Sequence, residues 1–161
     1  MRRSRIALGS LLFLAAAVAA EAALASPAGA QEQEPEMILP ECGIRYPGGF
    51  DPNTVGVVEG TVAALNHPER GPVTLRLEAA GETYMVLAAP AWFWEELKPG
   101  LRKGGRVRVK GSKTLGADGN LYLVAQEIVI VDTGEPVVLR DARGRPRWSG
   151  CGPKGCGGRG R

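Results

Sequence analysis

Three cysteines are the side chains of this 161-residue chain that are best suited to hold a metal or to form a covalent link. Cys151 and Cys156 enclose Gly-Pro-Lys-Gly, and neither precedes a histidine, so the spacing fits neither a haem-attachment motif nor a C-x-x-C redox motif. In an oxidising compartment we expect a Cys151–Cys156 disulfide, with Cys42 free or paired between chains. The alternative is a thiolate site for Cu(I) or Zn²⁺ built from Cys42, Cys151 and Cys156, but no fourth ligand is evident.

Acid–base and nucleophilic catalysis have few candidate residues. His67 is the single histidine and lies in a turn before Pro68, so a Ser-His-Asp arrangement has no other imidazole to use. Glu95 and Glu96 are adjacent, and adjacent side chains on a helix diverge, so they do not form an acid–base pair. We therefore predict that the protein is not an enzyme and needs no cofactor.

Aromatic residues indicate where a ligand or a partner could bind. Trp92, Phe93 and Trp94 are consecutive, and three successive rings on a helix cannot all face inward. We expect this cluster to plug one end of a barrel while one ring stays partly exposed. The predicted ligand or partner surface comprises Arg76, Tyr84, Trp92, Phe93, Trp94 and Trp148.

The first 30 residues predict export. Arginines at positions 2, 3 and 5 precede an apolar run over residues 6–20, shorter than the roughly 20 residues that span a membrane. The small residues at positions 28–30 predict cleavage after Ala30; an uncleaved membrane anchor is the alternative. We expect the mature chain in the periplasm or outside the cell, with no membrane span.

Beyond the signal peptide, the chain divides into an extension, a β-rich domain and a tail. Residues 31–54 are rich in proline and glycine and predict a linker or N-terminal extension. β-Type segments follow over residues 55–66, 73–79, 82–88, 106–111 and 121–131, and residues 90–97 predict a short helix between the third and fourth. This order predicts an all-β fold, a five-stranded OB-like Greek-key barrel.

The C-terminal part is expected to add a hairpin and a basic tail. Residues 137–148 predict an extra C-terminal hairpin that Trp148 anchors on the barrel, so the domain covers residues 55–148. Residues 149–161 hold six glycines and predict a flexible tail. Residues 140–161 carry seven basic side chains and one acidic, a net of +6, whereas residues 31–139 carry 10 basic and 15 acidic, a net of −5. The tail is therefore suited to an anionic surface or to the protein's own acidic barrel.

Nucleic-acid binding is a further hypothesis, because OB barrels often hold single strands on a basic groove with stacking rings. The outward residues of the second strand are Thr74, Arg76 and Glu78, and Tyr84 is expected as an exposed ring nearby. The net negative charge of residues 31–139 opposes phosphate binding. This function is therefore the second alternative, after thiolate metal binding.

Three motifs resemble those of a group of small exported bacterial proteins with an OB-like barrel. They are residues 46–52 (YPGGFDP), 90–93 (PAWF) and 139–150 (LRDARGRPRWSG). The later part is similar to the domain of magnetosome-associated periplasmic proteins of the MamS and MamX type. The resemblance implies the fold over residues 46–150 and a link to iron biomineralisation, without the c-type haem motifs of MamX. We predict an exported, non-enzymatic binding or accessory module for an envelope protein complex that handles metals or electrons.

Overall fold

The computed structural model describes residues 36–150; the predicted signal peptide, the Cys151–Cys156 disulfide and the basic tail beyond residue 150 lie outside them. The strands are β1 (Met37–Ile38), β2 (Arg45–Tyr46), β3 (Val55–Asn66), β4 (Pro72–Ala79), β5 (Glu82–Pro90), β6 (Arg106–Leu115), β7 (Leu121–Ile130) and β8 (Glu135–Val138). A 3-10 helix (Pro52–Thr54) precedes β3, and helix α1 (Ala91–Leu97) connects β5 to β6. No helix in this part of the chain has the length and hydropathy of a membrane span.

Strands β3 to β7 close into a five-stranded mixed barrel, which confirms the predicted all-β class. The antiparallel neighbours are β3 with β4, β4 with β5, β3 with β6, and β6 with β7. The parallel pairing of β5 with β7 completes the closure. Helix α1 lies between the third and fourth barrel strands, as the sequence predicted, and closure leaves no unpaired edge within the barrel.

The barrel interior is apolar because alternate residues of each strand face it. On β4, Val73, Leu75 and Leu77 are buried, whereas Arg76 is exposed. Strand β6 alternates in the same way until its register with β7 shifts at Gly111. A Cβ atom there would meet the carbonyl oxygen of residue 124, so the close approach of the two strands requires glycine.

Helix α1 fills one end of the barrel. It begins after Pro90 and ends before Lys98, which caps it in the left-handed conformation (φ 44°) and donates its backbone N–H to the Trp94 carbonyl at 3.1 Å. Phe93 and Trp94 are buried and Trp92 is partly exposed. This is the division of the three rings that the helical spacing predicts.

Residues 36–54 form a packed N-terminal extension, in contrast to the linker that their proline and glycine content predicted. Cys42, Ile44 and Tyr46 alternate with exposed residues and are only 3, 8 and 3% exposed. The Tyr46 hydroxyl donates to the Ala88 carbonyl at 3.3 Å, and the Ala117 N–H donates to the Cys42 carbonyl at 2.9 Å. These contacts fix the extension on the barrel.

The extra C-terminal element is strand β8 followed by a hydrogen-bonded turn. Strand β8 pairs antiparallel with β7, and the chain then reverses so that Arg140 bridges Pro146. The Arg147 N–H donates to the Leu139 carbonyl at 3.0 Å. Trp148 is 1% exposed, with its ring centroid 5.5 Å from that of Phe93. Trp148 therefore anchors the turn on the barrel, as predicted.

Candidate functional site

The structure separates the six side chains of the predicted ligand or partner surface. Four of them are between 1 and 7% exposed and lie inside the domain: Tyr84, Phe93, Trp94 and Trp148. Arg76 is exposed on β4, and Trp92 is partly exposed on α1. Of these six residues, only Arg76 and Trp92 could therefore contact a partner without a rearrangement of the core.

Tyr84 is buried, which corrects its expected exposure. Its hydroxyl donates to a Glu82 carboxylate oxygen at 2.6 Å, and the Lys113 ammonium lies 5.7 Å from the centre of its ring. The hydrogen bond to Glu82 is the main reason why the pKa of Tyr84 is raised. A buried ring cannot stack on a base, so this part of β4 and β5 does not favour single-strand binding.

Cys42 is the one cysteine among residues 36–150, and it is a free thiol in a small buried cluster with Leu87 and Tyr122. Within the same range no three His, Cys, Asp or Glu side chains are grouped to hold a metal. The other thiols of the alternative metal site, Cys151 and Cys156, lie outside the described residues. A metal shared with them would have to reach a Cys42 side chain that is already packed in the interior.

Arg140 is a buried cation that the sequence analysis did not identify. It is 1% exposed, and its Cζ atom lies 5.1 Å from the ring centre of Trp148, 5.8 Å from that of Phe50 and 6.0 Å from that of Tyr46. The faces of aromatic rings carry negative charge, so the three rings stabilise the guanidinium. Among the residues described, no carboxylate forms an ion pair with it. We call these four residues the Arg140 box.

The hydrogen bonds of the Arg140 box are incomplete. Arg140 Nε donates to the Ala125 carbonyl at 3.1 Å, and Nη1 donates to the Gly144 carbonyl at 3.2 Å. Arg140 Nη2 and Trp148 Nε1 are buried without a hydrogen-bond acceptor in the described part of the chain. Burial lowers the pKa of Arg140 to about 10.

An open cleft of about 520 Å³ adjoins the Arg140 box, and we call it the Trp148 cleft. Apolar side chains that line it are Pro47, Phe50, Pro146 and Trp148, and its charged side chains are Glu36, Arg143 and Arg145. This volume lies within the range of pockets that hold small ligands or a few residues of a peptide. The cleft thus combines apolar and aromatic walls with a cationic rim.

The turn that carries the cationic rim is built around Asp141. Its Oδ1 accepts the backbone N–H groups of Arg143 and Arg145 at 2.8 and 2.9 Å, and its Oδ2 pairs with Arg145 Nε at 3.1 Å. These hydrogen bonds lower the pKa of Asp141, the backbone N–H of Arg145 most strongly. Arg143 is exposed and forms no ion pair with any described residue. One rim arginine is therefore held by the turn, and the other is available to a ligand.

The extension and the turn fit closely across the Trp148 cleft. Gly144 has φ +82°, and a Cβ atom at this position would overlap the Phe50 ring. Only glycine combines that backbone conformation with that close approach. The cleft is therefore defined by two segments from opposite ends of the described chain.

A second cleft of about 400 Å³ lies next to the first, since Pro47 lines both. It is lined by Met37, Trp92 and Glu95 among others. Trp92 is the residue of the predicted partner surface that the structure brings to this region. This second cleft extends the apolar surface beside the Trp148 cleft.

One comparison with known proteins gave a match. A family model described as the MamS/MamX magnetosome protein family matches residues 53–134, just over half of the chain, and the match contains all five barrel strands. A comparison with curated proteins gave no match. The family match begins after Phe50 and ends before Arg140, so all the residues that line the Trp148 cleft lie outside it.

Proposed function

The chain belongs to the MamS/MamX magnetosome protein family, and we propose that it is an exported, non-enzymatic OB-barrel module that binds a protein of a cell-envelope complex. The family supports an accessory role in association with magnetosomes. The resemblance to proteins connected with iron biomineralisation supports a partner complex that handles metals or electrons.

The observation that carries the proposal is the composition of the Trp148 cleft. Aromatic and arginine side chains are the types enriched at the centres of protein interfaces. Phe50, Pro47 and Pro146 supply apolar surface. Arg143 supplies a cation that no described carboxylate neutralises. The close fit of Gly144 against Phe50 keeps the walls in place before a partner arrives, which lowers the entropy cost of binding.

The non-enzymatic role rests on the chemistry of the sequence. The single histidine, His67, is exposed in its turn, and the sequence holds no second imidazole for a Ser-His-Asp arrangement. The Trp148 cleft instead offers groups that bind: apolar walls and cations. Recognition without bond making is the simpler use of such a set.

Export is tested by the N-terminus of the protein recovered from its native cells. The mass of the mature chain should correspond to a first residue at Gln31, and the protein should be found in the periplasmic or secreted fraction. Retention of residues 1–30 in cytoplasmic protein would contradict the proposal of export.

The partner surface is tested by site-specific photo-crosslinking in the native cells. The photoreactive residue p-benzoylphenylalanine replaces Arg143 at the Trp148 cleft or, as the matched control, the exposed Arg76 on β4. We expect a discrete crosslinked species from position 143, absent from position 76, and weakened when Phe50→Ala trims the cleft wall in the same chain. Equal crosslinking at both positions, or no effect of Phe50→Ala, would contradict a partner site in this cleft.

A further inference from the structure

We infer that residues 31–35, which precede the first described residue, lie across the Trp148 cleft and compete with the partner for it. The glutamates of this segment, Glu32 and Glu34, meet the cationic rim of the cleft at Arg143. Occupancy of the cleft by the segment does not depend on a partner, but control of partner binding rests on the proposed function.

The acidic segment joins the described chain at the Trp148 cleft. Glu36, the residue that follows the segment, lines the cleft, and its carboxylate lies over Gly48, which lines it too. Five extended residues span up to about 17 Å, at about 3.3–3.6 Å each. The cube root of the cleft volume of about 520 Å³ is only about 8 Å. The segment is therefore long enough to cross the cleft.

Charge favours this segment as the occupant. Residues 31–36 (QEQEPE) contain three glutamates and no basic residue. Residues 142–149 contain three arginines and no acidic residue, and two of these arginines line the cleft. Arg145 is paired with Asp141, whereas Arg143 is exposed and forms no ion pair with any described residue. Attraction between opposite charges therefore draws the glutamates of the segment to Arg143.

The basic tail is the other segment that joins the described chain at this cleft. Ser149 lines the cleft, and residues 150–161 follow it with Lys154, Arg159 and Arg161 and no acidic residue. Like charges repel, so the rim arginines disfavour the tail as the occupant. A pairing of the tail with the glutamates of the acidic segment is the competing arrangement.

Pro35 restricts the path of the acidic segment. A proline ring fixes φ at about −65°, and the residue before it, here Glu34, favours an extended conformation. The segment therefore loses fewer conformations when it binds, and its short tether gives it an effective concentration in the millimolar range. Even a weak contact with the rim is then enough to cover the cleft for a substantial part of the time.

The first test compares NMR spectra of the mature chain, residues 31–161, with those of its Glu32→Gln/Glu34→Gln variant. We expect the backbone N–H resonance of Arg143 to move in the variant, because the segment leaves the cleft. Salt at 1 M, where the Debye length is about 3 Å, should move this resonance more in the wild type than in the variant. An Arg143 resonance that stays in place in the variant would overturn the inference.

Glu78→Gln/Glu96→Gln is the matched control for the loss of two charges. Both glutamates are exposed, and neither lines the Trp148 cleft. This variant should leave the Arg143 resonance where it is in the wild type. A movement equal to that in Glu32→Gln/Glu34→Gln would show an effect of net charge alone and would overturn the inference.

The second test locates the segment by photo-crosslinking within the mature chain. The photoreactive residue p-benzoylphenylalanine replaces Gln33, so that both glutamates of the segment remain. Peptide mapping by mass spectrometry should find the crosslink in residues 47–50 or 143–149, which contain the walls and the rim of the cleft. A crosslink confined to residues 150–161 would show the pairing with the tail and would overturn the inference, as would the absence of an intramolecular crosslink.

Control of partner binding is tested in the native cells with p-benzoylphenylalanine at Ser149, which lines the cleft and leaves Arg143 in place. Glu32→Gln/Glu34→Gln in the same chain should raise the yield of the partner crosslink about two- to fivefold, as expected when exposed charge pairs that cover the site are removed. An unchanged yield would overturn this control.

The outcomes separate the inference from the proposed function. If a partner crosslink forms while the Arg143 resonance and the crosslink yield ignore both glutamates, the inference fails and the partner surface stands. If the segment occupies the cleft but no partner crosslink forms at position 143 or 149, with or without the glutamates, the occupancy stands and the proposed partner site fails.

Discussion

Replacement of Tyr46 with alanine tests whether residues 36–54 fold together with the barrel. The Tyr46 side chain is 3% exposed, and its ring centroid lies 6.1 Å from that of Trp148. The Arg140 Cζ atom lies 6.0 Å from the centre of the Tyr46 ring. Truncation of a buried large aromatic residue to alanine costs about 3–5 kcal/mol, because apolar contacts are lost and a cavity remains. We expect Tyr46→Ala to lower the free energy of unfolding by this amount.

Tyr46→Phe separates the ring from the hydroxyl group. This variant keeps the ring in the Arg140 box and removes the hydrogen bond to the Ala88 carbonyl, which is long at 3.3 Å. A bond of this kind contributes about 0.5–1.5 kcal/mol, and its length favours the lower part of that range. Most of the loss in Tyr46→Ala should therefore come from the ring.

The assay is urea unfolding followed by circular dichroism and tryptophan fluorescence. Leu115→Ala is the control for a hydrophobic truncation outside the core, since Leu115 is 66% exposed, and its effect should stay within about 0.5 kcal/mol. A loss of less than about 1 kcal/mol in Tyr46→Ala would fall far below the expected cost of a core truncation. That result would show that the extension is not part of the cooperative fold.

Three further predictions concern a turn, a hydroxyl and a thiol. Gly144→Ala should lower the melting temperature more than Gly119→Ala. Both glycines have a positive φ, but only a Cβ at position 144 would overlap an aromatic ring, that of Phe50. Equal decreases in melting temperature would contradict the close fit. Burial and the 2.8 Å hydrogen bond to Asp118 raise the pKa of Tyr122 in the folded protein. The unfolded chain therefore ionises first, and the free energy of unfolding of the wild type should fall as the pH rises through about 10. Between pH 9 and about pH 11, urea unfolding should show a smaller loss of stability for Tyr122→Phe than for the wild type. Equal losses in the two proteins would contradict this explanation. Cys42 is buried, so iodoacetamide should label it slowly in the native protein and rapidly in urea, as mass spectrometry can check; rapid native labelling would place the thiol at the surface.

The barrel could be predicted because the order of buried and exposed residues in a strand appears in the sequence of that strand alone. Alternation over residues 73–79 directly reflects which side chains face the interior. Strand β6 continues to Leu115, beyond the predicted residue 111, because the register shift at Gly111, where β7 carries the extra residue Gln126, does not end the pairing. The same rule applied to β5 would have placed Tyr84 inward with Val86, so the exposure expected for Tyr84 overlooked a pattern that was present.

The Trp148 cleft could not be predicted in the same way. The alternation of Cys42, Ile44 and Tyr46 is a sign of packing, but the prolines and glycines around it concealed a segment with little regular secondary structure. Arg140 is buried because rings from both ends of the described chain surround it. Arginine is rarely buried without a paired charge, and no local spacing encodes contacts between such distant positions.

Glu36 and Ser149 both line the Trp148 cleft, although they stand near opposite ends of the described residues. A purification tag or fluorescent domain joined close to either of them would start at the mouth of the cleft and compete with whatever enters it. Gly81, in the exposed turn between β4 and β5, does not line the cleft, and no atom lies within 4 Å of a Cβ added there. An epitope inserted at this turn would report on the protein while leaving the mouth clear.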